Sequence, residues 1–248
     1  MDVIGRAGGV LRAVSSLEPG GATTSEVARF AALPRPTTHR LLTSLLGIGF
    51  VDRDDEGRWL LGPELYLMGE TASRRYDVTQ LAQPFVRQLA VATGESAFFS
   101  ARRGDETVCL VREDGSFPVR SHVLYEGVRF PLGVASAGLA ILAYLPDTEI
   151  GHLLSRGDLV AAHGPQHHPD EIRARVAETR RRGYAVNPGL VVEGSWGLGA
   201  AVFDQSGEPR WALSLTGIEQ RFGQERRATM GELLLQAAHD LGTALRSR

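Results

Sequence analysis

Cysteine and lysine are the residue types that this sequence lacks most clearly. Among 248 residues there is one cysteine, Cys109, and all 27 basic residues are arginine. One cysteine cannot form an internal disulfide or supply the thiolates of a cysteine-rich zinc site within one chain, and its scarcity fits a reducing compartment. We therefore expect burial of apolar side chains to hold the fold, with Cys109 as a small buried strand residue.

Long hydrophobic runs and an excess of charge are also missing. No window approaches the roughly 18 apolar residues of a membrane helix, and the first residues do not place an apolar run behind a basic cluster. We therefore expect a cytoplasmic protein with no membrane partner. The 27 basic and 29 acidic residues give a formal net charge of −2, so local rather than overall charge must indicate a nucleic-acid partner.

The first fifty residues have the pattern of three short helices. Apolar residues recur at helical spacing over residues 7–17 and predict the first helix. Thr23 and Glu26 have the spacing of a capping box, which predicts the start of a second helix. Pro34 ends that helix, and Pro36 suits the first position of a third helix.

The predicted third helix is amphipathic, and a hairpin follows it. Between Leu33 and Phe50 there are two arginines and no carboxylate, so positive potential is concentrated on this helix. Residues 50–61 then predict two short strands around an acidic turn that Gly57 closes. Three helices followed by a hairpin indicate a winged helix-turn-helix.

The rest of the chain predicts a mixed α+β domain after a polar linker at residues 73–77, with the boundary near residue 75. Apolar spacing predicts a helix up to Gly94, in which Pro84 would cause a kink or a late start. The other predicted elements are strands within 96–110 and 117–130, a helix at 136–144, a helix from Pro169 to Gly183, a hairpin over 198–216 and a helix at 224–245.

Several stretches together resemble the IclR family of bacterial transcriptional regulators. They are Thr24-Ser25-Glu26-Val27-Ala28, Leu33-Pro34-Arg35-Pro36-Thr37-Thr38-His39-Arg40-Leu41-Leu42, Gly49-Phe50-Val51, Leu61-Gly62-Pro63, Arg182-Gly183-Tyr184 and Leu213-Ser214-Leu215-Thr216-Gly217. The resemblance implies an α+β protein with a winged helix-turn-helix at residues 1–62 that binds double-stranded operator DNA. It further implies a linker helix at 63–75 used in dimerisation and a GAF-like effector-binding domain at 76–248. A homodimer or homotetramer and no cofactor are expected.

The DNA-facing chemistry also follows from the residues. A recognition helix needs short polar side chains and an arginine near its start, without a carboxylate that would repel phosphate. We assign Arg40 to a base edge or a phosphate, His39 and Thr43 to base edges, and the remaining polar candidates to phosphate. A merely solvated helix face is the alternative, which the flanking cap, hairpin and resemblance disfavour. The candidates are Arg35, Pro36, Thr37, His39, Arg40, Thr43 and Arg58.

The resemblance implies a site for a small-molecule effector in the second domain. The family often has an acidic residue in place of Asn187 and a cysteine in place of Gly197, so we expect a roomier, less charged pocket for a larger, aromatic carboxylate. Amides at a helix start suit such an anion. In the alternative, Ser214 and Thr216 only satisfy local backbone groups. The matched positions are Ser136, Ala137, Asn187, Gly197, Ser214 and Thr216.

Two other classes of protein compete with a regulator. A small-molecule hydrolase could use Ser136 or Ser195, which lie among glycines, but neither stands in G-x-S-x-G and no spacing indicates a partnered histidine. A metal-dependent enzyme could use His163, His167 and His168, although a flexible surface loop is the favoured interpretation and we expect no metal. In either enzyme, or in a pure interaction module, the helix-turn-helix would bind protein instead of DNA.

Overall fold

The computed structural model describes residues 2–73 and 78–247, and the chain divides into two compact units, Met1–Tyr76 and Asp77–Arg248. Within the predicted linker, residues 74–77 lie outside the described residues. Among the described residues, no helix has the length and apolar composition needed to cross a lipid bilayer.

The first unit contains the predicted three helices and hairpin. Its third helix begins at Arg35, which places Pro36 at the second position and not at the predicted first one. The two strands pair antiparallel, with Asp52 opposite Leu60. The elements are α1 (Val3–Ser15), α2 (Thr24–Phe30), α3 (Arg35–Gly47), β1 (Val51–Arg53), β2 (Trp59–Leu61) and α4 (Pro63–Ser73).

A capping box and one buried aromatic side chain stabilise the first unit. The predicted capping box is confirmed, since the Glu26 amide donates to Thr23 Oγ1 at 3.3 Å and the Thr23 amide donates to Glu26 Oε2 at 2.8 Å. Trp59 is buried with Val27 and Leu42, and its Nε1 donates to Thr24 Oγ1 at 2.9 Å. This indole therefore attaches the hairpin to the helices.

The second unit is a six-stranded antiparallel sheet with helices on both faces. The strand order is β5-β4-β3-β8-β7-β6. Short 3-10 turns lie at Pro165–His167 and Glu219–Arg221. The elements are α5 (Val78–Thr93), β3 (Ser96–Arg103), β4 (Glu106–Glu113), β5 (Arg129–Pro131), α6 (Ser136–Leu142), α7 (Asp147–Arg156), α8 (Leu159–His163), α9 (Pro169–Arg182), β6 (Ala185–Pro188), β7 (Ser195–Phe203), β8 (Pro209–Ile218) and α10 (Gln224–Arg246).

The main error of the sequence prediction concerns residues 117–130. Only β5 forms a strand there, and residues 114–128, here called the strap, contain neither helix nor strand. Pro118 has no amide to donate, and Gly127 has a φ of +85°, so this segment cannot continue a regular ladder. Of the two outcomes predicted for Pro84, a kink or a late start, the late start is wrong, because α5 begins at Val78 and contains Pro84.

The two sheet faces have different chemistry. Leu198 of β7 and Leu213 of β8 are fully buried in the cluster that includes residues of α5 and α10. On the alternating positions, Gly197 lies opposite Thr216 and Gly199 lies opposite Ser214, on the face that α6 covers. The sheet therefore has a purely apolar face and a face with small and hydroxyl-bearing residues.

A buried ion-pair cluster attaches the strap to the sheet and to α10. Glu95 is 1% exposed and accepts two bonds from Arg221, each of 2.7 Å, while Arg226 lies 3.1 Å from its Oε1. Arg221 also donates to the Val119 carbonyl at 3.0 Å and lies over the Phe117 ring, 4.2 Å from its centroid. One arginine thus connects the strap to the residue that precedes β3.

Replacing Glu95 by glutamine tests this cluster. Glu95→Gln removes the charge that Arg221 and Arg226 share, and breaking a buried ion pair costs about 3–5 kcal/mol. We expect a correspondingly lower free energy of unfolding in a urea titration. Glu208→Gln, on an exposed turn, is the matched control. Equal unfolding midpoints for the two variants would show that the cluster does not hold the strap.

Candidate nucleic-acid interface and ligand cavity

The outer face of α3 presents the predicted polar residues to solvent. Arg35, Pro36, His39, Arg40 and Thr43 are exposed, and Thr37 is half-buried. The opposite face is buried in the core through Thr38, Leu42 and Leu45. The helix contains no carboxylate, so its exposed face can approach phosphate without repulsion.

The hydroxyl group of Thr43 has a defined hydrogen-bonding role. It donates to the His39 carbonyl at 2.9 Å, so its oxygen can only accept a further hydrogen bond. In the major groove, the amino groups of adenine and cytosine are the donors that such an oxygen would meet. Arg40 and Arg35 supply donors on the same face.

The structure gives Arg58 a contact that the sequence did not indicate. Its Nη1 donates to the carbonyls of Gly20 and Gly21, at 2.6 and 3.2 Å, and so attaches the hairpin to the turn before α2. Its side chain is 38% exposed, beside the acidic tip of the hairpin that carries Glu56. A phosphate contact would have to use the remaining guanidinium nitrogens.

A small cavity lies beside the start of α6, on the polar face of the sheet. Its volume is about 20 Å³, close to that of one water molecule, and none of its lining side chains is charged. Four of the predicted effector residues line it, whereas Ala137 and Ser214 are buried nearby in α6 and β8. The lining residues are Val123, Leu124, Ala135, Ser136, Asn187, Val191, Ser195, Trp196, Gly197 and Thr216.

Two buried hydroxyl groups at this site have no hydrogen-bond partner. Ser214 is 0% exposed and Thr216 is 5% exposed, and no described group bonds to either oxygen. The alternative that they satisfy the local backbone is therefore wrong. Leaving a buried polar group unpaired costs about 1–3 kcal/mol, so these oxygens favour an incoming polar partner.

Two glycines allow α6 to approach β7 closely. A Cβ at Gly197 would lie 2.9 Å from Ser136 Oγ, and one at Gly199 would lie 2.6 Å from the carbonyl carbon of Ser136. The expectation that Gly197 makes the pocket roomier is wrong, because the Ser136 side chain occupies that space. Sequence reasoning missed Gly199, although its i, i+2 spacing from Gly197 places both on one face of a strand.

Asn187 connects the two loops that border the cavity. It is 5% exposed, its Nδ2 donates to the Val134 carbonyl at 2.8 Å, and its Oδ1 accepts from the Leu190 amide at 2.9 Å. Both polar ends of the amide are therefore used within the protein. An aspartate could accept the second bond but could not make the first.

The strap forms part of the cavity wall. Val123 and Leu124 line it, and the hydroxyls of Ser121 and Ser195 lie 2.6 Å apart at its edge. The strap contributes three side chains here, those of Ser121, Val123 and Leu124.

The histidine cluster does not form a metal site in the described part of the chain, where no three His, Cys, Asp or Glu residues are grouped to hold an ion. The predicted flexible surface loop is wrong for His167, which is 0% exposed and whose Nδ1 bonds the His163 carbonyl at 2.9 Å. Burial lowers the pKa of His167. His168 instead caps α9, accepting from the Asp170 amide at 3.4 Å.

The buried position predicted for Cys109 is confirmed. Its side chain is 2% exposed. Burial raises the pKa of this thiol to about 12, so it stays protonated and unreactive near neutral pH.

The role of Asn187 predicts a specific loss of stability. Asn187→Asp places a carboxylate oxygen against the Val134 carbonyl, and we expect the free energy of unfolding in urea to fall by about 1–3 kcal/mol. Gln83→Glu, on the exposed side of α5, makes the same chemical change at the surface. If both variants unfold at the same urea concentration, the Asn187 amide does not hold the two loops.

Comparison with known proteins supports the two-part organisation. A model of the IclR helix-turn-helix domain matches residues 3–55, and a model of the bacterial transcriptional regulator IclR C-terminal domain matches residues 70–243. The transcriptional repressor IclR of Escherichia coli K12 is 28% identical over 228 residues, which is 91% of this chain and 83% of that protein. The transcriptional repressor AllR of Klebsiella pneumoniae is 29% identical over 234 residues, with 91% and 84% covered.

A solved structure shares the whole fold. The crystal structure of an IclR homolog from Microbacterium hydrocarbonoxydans, complexed with 4-hydroxybenzoate, superposes with a TM-score of 0.79, 25% identity and all of both chains covered. The matched family models span both units described above. The chain belongs to the IclR family of transcriptional regulators.

Proposed function

We propose that this regulator binds operator DNA through α3 and that an aromatic carboxylate, bound beside α6, modulates that binding. The carboxylate-free, exposed face of α3 is the observation that carries the proposal. The repressors to which the chain is similar are named for the same kind of activity.

The DNA contacts follow from the geometry of α3. Arg40, His39 and Thr43 read base edges in the major groove, with Arg40 also within reach of phosphate. Arg35, at the first turn, and Thr37 bind phosphate, where the helix dipole adds attraction. Arg58 adds a phosphate contact with the part of its guanidinium that the backbone of residues 20–21 leaves unused.

The effector site uses the two unpaired hydroxyls. Ser214 and Thr216 can donate to a carboxylate, and the first turn of α6, which has no side-chain cap, adds amides beside Ser136 and Ala137. The homolog complexed with 4-hydroxybenzoate supports a ligand with one aromatic ring and a carboxylate. Since the cavity holds only about 20 Å³, the strap moves outward when the ligand enters.

The assembly is a homodimer or homotetramer that works in the cytoplasm. A two-fold symmetric operator is read by two copies of the recognition helix, as in other helix-turn-helix proteins. The exposure of Tyr66, Leu67 and Met68 on α4, at 68%, 55% and 52%, supports self-association through that helix. The cytoplasm follows from the DNA partner, because the chromosome of a bacterium lies there.

The structure gives little support to the hydrolase alternative. The hydroxyl of Ser195 is paired with that of Ser121, which cannot act as a general base. A regulator without catalysis is the simpler proposal.

Two arginine variants test the DNA contacts. Arg40→Ala should weaken operator binding by about 1–3 kcal/mol and relax sequence preference, while Arg58→Ala should weaken all sequences about equally and reduce the salt dependence. Gel shifts with selected and scrambled duplexes over a salt series measure both effects. Arg87→Ala, exposed on α5, is the control. Identical behaviour of the Arg40 and Arg58 variants would refute the separate roles.

A hydroxyl variant tests the effector site. Thr216→Val removes a buried oxygen that has no partner, so the free protein should lose no stability. Its affinity for 4-hydroxybenzoate should nevertheless fall about tenfold, through the loss of one hydrogen bond to a charged group. Calorimetry and thermal unfolding give the two values, with Thr243→Val on the exposed side of α10 as control. Unchanged affinity would place the ligand elsewhere.

A further inference from the structure

The outer side of α3 carries a second hydroxyl group, that of Ser44, in addition to the one of Thr43. The side of the helix that faces the core is buried through Thr38, Leu42 and Leu45. Helical periodicity places Arg40 opposite these residues. Thr43 and Ser44 follow Arg40 by three and four residues, so they lie one turn further along, on either side of it, and both are exposed.

After Arg40, the outer side of α3 has only short side chains. Gly47, which lies one further turn along behind Thr43 and Ser44, is exposed and adds no side chain at all. A helix can approach base edges only as closely as its outermost side chains allow. The second half of α3 can therefore lie deep enough in a major groove for a serine hydroxyl to reach a base.

The hydroxyl group of Ser44 is already used as a donor. Its Oγ donates to the Arg40 carbonyl at 3.0 Å, as the hydroxyl of Thr43 does to the His39 carbonyl. A hydroxyl has one hydrogen and two lone pairs, so the Ser44 oxygen accepts a hydrogen bond from a base and does not donate one. Turning the hydroxyl toward an acceptor on a base would break its bond to the backbone.

An oxygen that only accepts distinguishes the two orientations of a base pair. In the major groove, adenine N6 and cytosine N4 carry amino groups that donate, whereas thymine O4 and guanine O6 accept. The oxygen therefore gains a hydrogen bond where the strand beside it carries adenine or cytosine. Where that strand carries thymine or guanine, it meets a lone pair.

The spacing along α3 places this contact next to the one assigned to Arg40. One turn of an α-helix advances about 5.4 Å, and stacked base pairs are about 3.4 Å apart. A residue one turn after Arg40 therefore reaches about one or two base pairs further along the groove.

We propose that Ser44 is a further specificity-determining residue, which accepts a hydrogen bond from the amino group of adenine or cytosine next to the base pair that Arg40 contacts. It fixes the strand on which the amino-bearing base lies. This inference rests on the DNA contact proposed for α3 and adds to it a residue and a base chemistry.

Selection from random duplexes by the full-length protein tests the role of Ser44. Sequencing should show one position in each half-site that the unmodified protein restricts and that Ser44→Ala no longer restricts. Alanine is a better helix former than serine, so this variant keeps α3 folded. Ser44→Thr, which retains a hydroxyl, should keep the preference. An unchanged set of preferences in Ser44→Ala would overturn the inference.

The matched control is Ser155→Ala in the second unit. Ser155 is exposed on α7, and its hydroxyl also donates to a carbonyl of its own helix, that of His152, at 3.0 Å. Removing it should change no base preference. Loss of the same preference in Ser155→Ala would overturn the inference, because a serine far from α3 in the sequence would then have the same effect.

Base analogues then test the hydrogen bond itself. At the position identified by selection, the adenine is replaced by purine, or the cytosine by 2-pyrimidinone, each of which lacks the amino group. Gel shifts should show an affinity about threefold to tenfold lower for the unmodified protein, as expected for one hydrogen bond, and no change for Ser44→Ala. Equal losses for the two proteins would overturn the inference.

Failure of this inference differs from failure of the proposed function. If the unmodified protein enriches no duplex, the DNA contact of α3 is itself overturned. If it enriches a duplex and Ser44→Ala enriches the same one with every preference intact, the contact of α3 stands and only the role of Ser44 is overturned.

Discussion

The close contact between the start of α6 and strand β7 determines the chemistry of the second unit. Because Gly197 and Gly199 have no side chains, the backbone and hydroxyl of Ser136 lie against the strand. The same contact buries Ser214 and Thr216 without giving their hydroxyls a partner. The fold thus leaves two buried hydroxyl groups unpaired at one place. A ligand that bonds to them gains binding free energy without replacing existing hydrogen bonds.

The cavity beside α6 is bordered by parts of the fold that are attached in different ways. The sheet face beneath α5 and α10 is a continuous apolar core. The strap is attached through Arg221, the pair of Ser121 and Ser195, the buried side chain of Leu124, and backbone hydrogen bonds between Cys109 and residues 127 and 128. Glu95 accepts two hydrogen bonds from Arg221, so we expect the end of the strap near Phe117 to stay in place when a ligand enters the cavity. A ligand can change DNA affinity only through such differences between its bound and free states.

The sequence predicted the elements whose signals are local. The capping box of Thr23 and Glu26, the polar face of α3 and the hairpin at residues 50–61 each depend on neighbours within a few positions, and the structure contains all three. The strap was predicted as a strand because its apolar residues resemble one. Its actual path depends on Arg221, about a hundred residues away, and no spacing rule shows such a contact. The bond from Asn187 to the Val134 carbonyl, 53 residues away, depends on a distant partner in the same way.

The central claim is that operator DNA and effector bind to the same protein and influence one another. Thermodynamic linkage requires the two effects to be equal, so each ligand changes the affinity for the other by the same factor. The direct measurement is the affinity for 4-hydroxybenzoate with and without a saturating duplex that the protein itself has selected from genomic fragments. We expect a change that equals the effect of 4-hydroxybenzoate on duplex affinity. An effector affinity that saturating duplex leaves unchanged would contradict the account.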